Sequence, residues 1–189
     1  MLSDPQLHYL DNAATTRVDP AVTEAIHDAL VELWANPSSL YDPAVAAQDG
    51  IDTARGRIAK TLHCRKDEVY FTACGSESNN MSVWGAAKAR RHWGNKIVVT
   101  GFEHPSVQLP IRALQEEGFT VTEIMPEADG HIDTQKFLRE IDKNTVLAAC
   151  MAVNNETGAV QDIAALGAGI KARNARTHLH VDAVQAWLR

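Results

Sequence analysis

No stretch of this sequence is apolar over the roughly 20 residues that a bilayer span needs, and its acidic start, Met-Leu-Ser-Asp-Pro, is unlike a signal peptide. The expected setting is the cytoplasm, with no membrane partner. Cysteine is scarce: Cys64, Cys74 and Cys150 are an odd number without CxxC spacing, which argues against a disulfide framework or a zinc knuckle. Basic charge is in deficit too. Eighteen Lys and Arg face 24 Asp and Glu, a net charge of −6, which argues against a general nucleic-acid or anionic-membrane binder. Repeats and low-complexity segments are absent, and 45% hydrophobic with 22% charged residues describes an ordinary globular protein. A length of 189 residues suffices for one full core, or for a large core with part of a second domain.

The stretch around which the chain is organised runs from Glu68 to Gly85. Val69, Tyr70, Phe71 and Thr72 read as a strand, Ala73-Cys74-Gly75 as a tight turn, and the next residues as a helix with Met81, Trp84 and Lys88 on one stripe. Such a turn leaves the N–H groups of Gly75, Ser76 and Glu77 unpaired at a helix start, beside the Ser76 hydroxyl. That arrangement either holds a phosphate group or is a simple Ser cap. A helix start also lowers a thiol's pKa, so Cys74 is either reactive or a packing residue, whereas Cys150 lies in an apolar run as a small buried hydrophobe.

In chain order, Asp19 is placed as the N-cap and Pro20 as the first residue of a helix whose apolar stripe is Val22, Ile26, Leu30 and Leu33. Asn36-Pro37-Ser38-Ser39 reads as a loop, and Pro43 to Leu62 as a second helix with Ile51, Ala54, Ile58 and Leu62 on one face. Strand and helix then alternate. Strands are expected at 96–100, 119–124, 145–153 and 178–181, and helices at 105–117 with Gly118 closing, from Asp133 or Thr134 to Ile141, at 163–175, and from an Asp182 cap. The fold class is therefore α/β, a three-layer sandwich with a mostly parallel sheet. Residues 1–35 are expected to be an N-terminal arm or small-domain segment, and residues 36–189 the large domain.

In such sheets ligands sit at the carboxyl ends of the strands. Four expected strand ends carry polar residues there: Gly75 with Ser76, Glu103 with His104, Asn154 with Asn155, and Asp182 with Gln185. Singly, each reads as a cap or a turn. Together they match pyridoxal 5'-phosphate, which needs an anion site, a flat group over its ring and a carboxylate at its pyridine nitrogen. Asp182 suits the nitrogen, His104 suits stacking and proton transfer, and Gln185 suits the phenolic oxygen.

Six motifs in order carry a resemblance over nearly the whole chain. They are Tyr9 to Thr16, Asn36-Pro37-Ser38-Ser39, Phe71-Thr72 with Gly75 to Asn80, Glu103-His104, Val153 to Gly158, and His180 to Ala186. The sequence thereby resembles the cysteine desulfurases, which are class V aminotransferase-like enzymes of the fold-type I PLP group. The resemblance implies conversion of L-cysteine to L-alanine and an enzyme persulfide, with sulfur passing to iron–sulfur scaffolds or to tRNA thiolation. By it, Gly75, Ser76, His104, Asn155, Asp182 and Gln185 bind the cofactor, Asn36 and Asn155 meet substrate, and the protein is a homodimer or higher oligomer with an acceptor protein as partner. Selenocysteine lyases and other class V transaminases share the same half-site.

The sequence also departs from the family. Ala73-Cys74 stands where Ser-Gly is usual, Ser76 replaces Thr, and Tyr41 and Ala44 replace a His and a Gly. The motifs for the Schiff-base lysine, the substrate-carboxylate arginine and the persulfide cysteine are missing, since the seven lysines and three cysteines lie outside them. The large domain is accordingly expected to be incomplete at its C-terminus. The expectation is an amino-terminal portion that keeps the cofactor half-site and does not turn over cysteine alone. The alternative is a non-catalytic remnant that binds a phosphorylated ligand or acts as an interaction module.

Overall fold

The computed structural model describes residues 8–188, so the acidic start and Arg189 lie outside the described residues. The chain forms two compact units that divide between Phe71 and Thr72.

The first unit holds helices α1 (Pro20–Glu32) and α2 (Asp42–Leu62). Asp19 caps α1 as expected, accepting the Ala21 N–H at 2.8 Å. The α1 stripe is not covered: Val22, Ile26 and Leu30 are 50%, 52% and 73% exposed, and no residue of the helix is buried. In α2 the buried residues are Ala44, Ala47 and Ala59, while the expected stripe residue Leu62 is exposed. The helix stops at His63, whose backbone is left-handed (φ 52°).

The expected strand over Val69–Thr72 does not form. Its Val69 carbonyl accepts the Arg55 Nε–H at 3.2 Å, and the Arg55 guanidinium lies 5.2 Å from the centre of the Phe71 ring. Tyr70 and Phe71 are exposed. A β-rich composition without a neighbouring strand to pair with leaves extended chain, because sheet preference is realised through cross-strand partners.

The second unit contains α3 (Gly75–Ala89), β1 (Lys96–Thr100), α4 (Pro105–Glu116), β2 (Thr120–Ile124), α5 (Thr134–Arg139), β3 (Thr145–Ala149), α6 (Ile163–Arg173) and β4 (His178–His180). The four strands form one parallel sheet in the order β2-β1-β3-β4. Val98 of β1 sits opposite Thr122 on one side and Ala148 on the other, and Ala148 opposite Leu179.

Both faces are packed, because alternate residues of each strand point to opposite sides. Ile97, Val99, Leu147 and Ala149 meet Val83, Ala86 and Ala87 of α3 and Val107, Ile111 and Leu114 of α4. On the other side Val98, Ala148 and Cys150 meet Phe137 and Leu138 of α5 and Leu166 and Ile170 of α6. These three layers are the α/β sandwich that the sequence pattern implies. The buried face of α3 differs from the expected one: Met81 is 53% exposed, while Asn79 is buried with Val83, Ala86 and Ala87. The helix expected from Asp182 is instead a turn, in which Ala183 O accepts the N–H groups of Ala186 at 2.9 Å and Trp187 at 3.0 Å. Gly118 closes α4 with φ +89°, a left-handed position that suits glycine.

From β1 the chain passes to β2 on one side and later to β3 on the other. Strand order therefore reverses at β1, and the crevice at the carboxyl ends of β1 and β3 is a topological switch point.

Candidate functional site

The segments that follow β1, β3 and β4 at this edge carry polar residues. A cleft of about 580 Å³ opens beyond β1 and β3, with Glu103, His104 and Gln108 on one wall and Asn154 and Asn155 on the other. A second depression of about 540 Å³ is lined by Ser76, Asn80, His104 and Ser106. His104 borders both, so the imidazole stands between the start of α3 and the Asn pair.

Cys74, extended at the N-cap of α3, offers no side-chain cap, leaving the opening N–H groups at Gly75 and Ser76 without a capping side chain. The carboxylate of Glu77 turns back to accept the Ala73 N–H at 2.6 Å. A Cβ built on Gly75 would stand 3.2 Å from Val184 Cγ2, so the start of α3 is held close to the segment after β4. A strand does not lead into this turn, but the helix start is where the sequence places it.

Asp182 is buried beyond β4. Its Oδ1 accepts the Val184 N–H at 3.0 Å, and its Oδ2 accepts the Asn79 side-chain amide at 2.8 Å. Asn154 is consumed by structure: its Oδ1 accepts the Glu156 and Thr157 N–H groups at 3.0 and 2.8 Å, and its Nδ2 donates to Phe102 O at 3.2 Å. That leaves half-buried Asn155 as the member of the pair facing the cleft. Gln185 is half-buried in the turn after Asp182. Asn36 belongs to the first unit, where its Oδ1 accepts the Ser38 N–H at 3.0 Å.

Composition and spacing did not assign roles to Asn79, Ser106, Glu103 or His180. Glu103 is 3% exposed; its Oε1 accepts the Met151 N–H at 2.6 Å and the Thr100 hydroxyl, and its Oε2 is buried without a partner. Burial pushes its carboxyl up to about 7, against the pull of those two donors and with help from Asp182. His180 is 6% exposed, with Nδ1 at 3.0 Å from Ser82 Oγ and Nε2 buried without a partner. Burial lowers its imidazole to about 4, although Asp182 acts in the opposite direction. Burial also pushes the Cys150 thiol up, which removes it as a nucleophile. The expected α3 stripe of Met81, Trp84 and Lys88 does not include Asn79, so no signal in the sequence pointed to it.

The fold defines a class: α/β proteins with a parallel sheet whose ligand crevice lies where the strand order reverses. The chain belongs to the class-V aminotransferases, whose family model, Aminotransferase class-V, matches residues 8–189. Members of this family depend on pyridoxal phosphate. The chain is 39% identical over 181 residues to a cysteine desulfurase of Nostoc sp., a match covering 94% of this chain and 44% of that protein. It superposes on a solved NifS-like protein with TM-score 0.90 at 32% identity, covering 94% of this chain and 49% of the other. It superposes also on a structure described as SspA in complex with cysteine, with TM-score 0.88 at 35% identity and 94% and 51% coverage. The chain thus spans about half the length of the relatives it matches.

The residues present fit the family's cofactor. The helix start at Gly75 and Ser76 supplies uncapped N–H donors for an anion, and the buried Asp182 carboxylate is steadied by two donors. His104 lines both recesses. Of the seven lysines, none lines either recess. Lys96 opens β1 at the opposite edge of the sheet and pairs with Glu140 and Asp142, Lys88 pairs with Glu117, and Lys136 pairs with Glu127.

Proposed function

We propose that this chain is the cofactor-holding part of a PLP-dependent cysteine desulfurase, and that alone it binds PLP reversibly without turning over cysteine. The observation that carries this reading is the meeting of the α3 start, His104, Asn155 and Asp182 at one sheet edge in a chain similar to cysteine desulfurases. When bound, the cofactor supplies an electron sink for bonds at the substrate's α-carbon.

The chain's own residues have separable tasks. Gly75 and Ser76 hold the phosphate through N–H groups and a hydroxyl. Asp182 keeps the pyridine nitrogen protonated, because a buried carboxylate favours a neighbouring cation. His104 would lie against the ring and exchange a proton with the bound ligand, Gln185 would donate to the phenolic oxygen, and Asn155 would orient substrate oxygens. L-cysteine is the substrate of the whole site, and a scaffold or other acceptor protein takes the sulfur.

Self-association belongs to the same reading. The apolar stripe of α1, with Leu30 at 73% exposure, together with Leu40 at 96%, is surface that a second copy would cover.

The test is to titrate the chain with PLP, reduce with borohydride, map the lysines by peptide mass spectrometry and assay alanine. Saturable, dialysable binding with no dominant labelled lysine and no alanine is expected. Absence of saturable binding would overturn the cofactor reading. One dominant labelled lysine with alanine production would overturn the inactivity.

A further inference from the structure

We propose that Asn79 and Ser106 are positioning residues that lock His104 in its Nε2–H tautomer and tie it to Asp182 through a single side-chain amide. The meaning of the two groups they hold rests on the PLP reading; the tautomer does not.

Asn79 is the polar member of the buried α3 face and is 6% exposed. Its Nδ2 donates at 2.8 Å to Asp182 Oδ2 and at 2.9 Å to Ser106 Oγ, so both amide hydrogens are spent. A carboxylate oxygen only accepts, which fixes the amide orientation. Ser106, 9% exposed, is the second residue of α4, two positions after its His104 cap. Its Oγ, already accepting from Asn79, lies 2.7 Å from His104 Nδ1, and its backbone N–H points at the same nitrogen at 3.1 Å.

A proton on Nδ1 would face that backbone N–H donor head on. Nδ1 therefore presents its lone pair, the Ser106 hydroxyl donates to it, and the neutral ring carries its proton on Nε2. The donors run in one direction, from Asn79 to Ser106 to His104, while the other amide hydrogen goes to Asp182. The carboxylate for the cofactor nitrogen and the imidazole for its ring thus share one anchor, and His104 exchanges protons through Nε2 alone.

The experiment uses the whole chain labelled with ¹⁵N-histidine, without cofactor, and reads long-range ¹H–¹⁵N correlations at neutral pH, with His104→Gln assigning the signal. The wild type should show Nδ1 as an unprotonated, pyridine-like nitrogen. Ser106→Pro, which removes both the hydroxyl and the backbone N–H that face Nδ1 and sits in the first turn of α4, should move the two nitrogen shifts towards each other as the Nδ1–H form becomes populated, and Ser106→Thr, which keeps both donors, should retain the wild-type pattern. Asn79→Leu should shift His104 in the same sense without touching it; if that variant fails to fold, the Ser106 pair decides. A merely structural role would lower thermal stability and leave the tautomer unmoved. A protonated Nδ1 in the wild type, or a Ser106→Pro spectrum identical to it, would overturn the proposal. Failure to bind PLP would sink the functional reading while leaving this result in place.

Discussion

Replacing Glu103 by Gln should make stability depend on pH in a way the wild type conceals. Glu103 titrates near 7 in the folded chain against an ordinary 4.5, so between those values the folded state holds a proton that the unfolded state has lost. Its contribution to stability is full below 4.5 and disappears as pH rises through about 7, a change of about 3 kcal/mol. His180 behaves oppositely. Its folded value near 4 lies below the ordinary 6.5, so the unfolded state binds the extra proton and stability is lost as pH falls from 6.5 to about 4, again by about 3 kcal/mol. Across the shared window the two slopes oppose and largely cancel. Urea unfolding of wild type and Glu103→Gln at pH values from about 4.5 to about 7.5 reads the difference, because titrations common to both proteins subtract out. The variant should gain about 3 kcal/mol relative to wild type over that range. A difference that does not change with pH would refute the burial-driven elevation of Glu103.

Other outcomes follow from packing. Leu147→Ala, at a fully buried position between the helix layers, should cost about 2–5 kcal/mol in urea unfolding. Gly94→Ala places a Cβ against the backbone carbonyl of Asn144, which also accepts the Lys96 N–H at 3.0 Å where β1 begins, and should lower stability by about 1–3 kcal/mol, read as a drop in melting temperature. Gly75→Ala presses on Val184 at the proposed phosphate site and should weaken PLP binding about tenfold, or about 1.4 kcal/mol, with little change in melting temperature.

Much of the second unit was legible in the sequence because local signals and tertiary context agree there. Asp133 caps α5 through its carboxylate, His104 and Pro105 open α4, and the apolar run from Thr145 is buried on both faces, as parallel strands require. Where local pattern and context diverge, reading failed. Val69 to Thr72 has strand composition, but Arg55 takes its carbonyl and covers its ring. The α1 stripe has helical spacing and is exposed, since spacing reports which residues share a face and not whether anything covers it.

The site was legible by class and not by wiring. Gly75, His104, Asn155 and Asp182 show themselves at chain positions that precede or follow regular elements. The Asn79 amide joins residues 27 and 103 positions away, a separation that no local pattern encodes. Glu103 reads as one more polar residue after a strand, and its elevated carboxyl is a product of burial that the fold alone creates.

Under the proposed function, this sheet edge holds PLP by its phosphate and its ring nitrogen together. Calorimetric titration of the wild-type chain with PLP and with pyridoxal, repeated for Asp182→Ala, tests both contacts at once. Saturable PLP binding is expected, with a loss of at least about tenfold, or about 1.4 kcal/mol, for pyridoxal and a comparable loss for the variant. Equal binding of PLP and pyridoxal, or PLP affinity indifferent to Asp182, would contradict it.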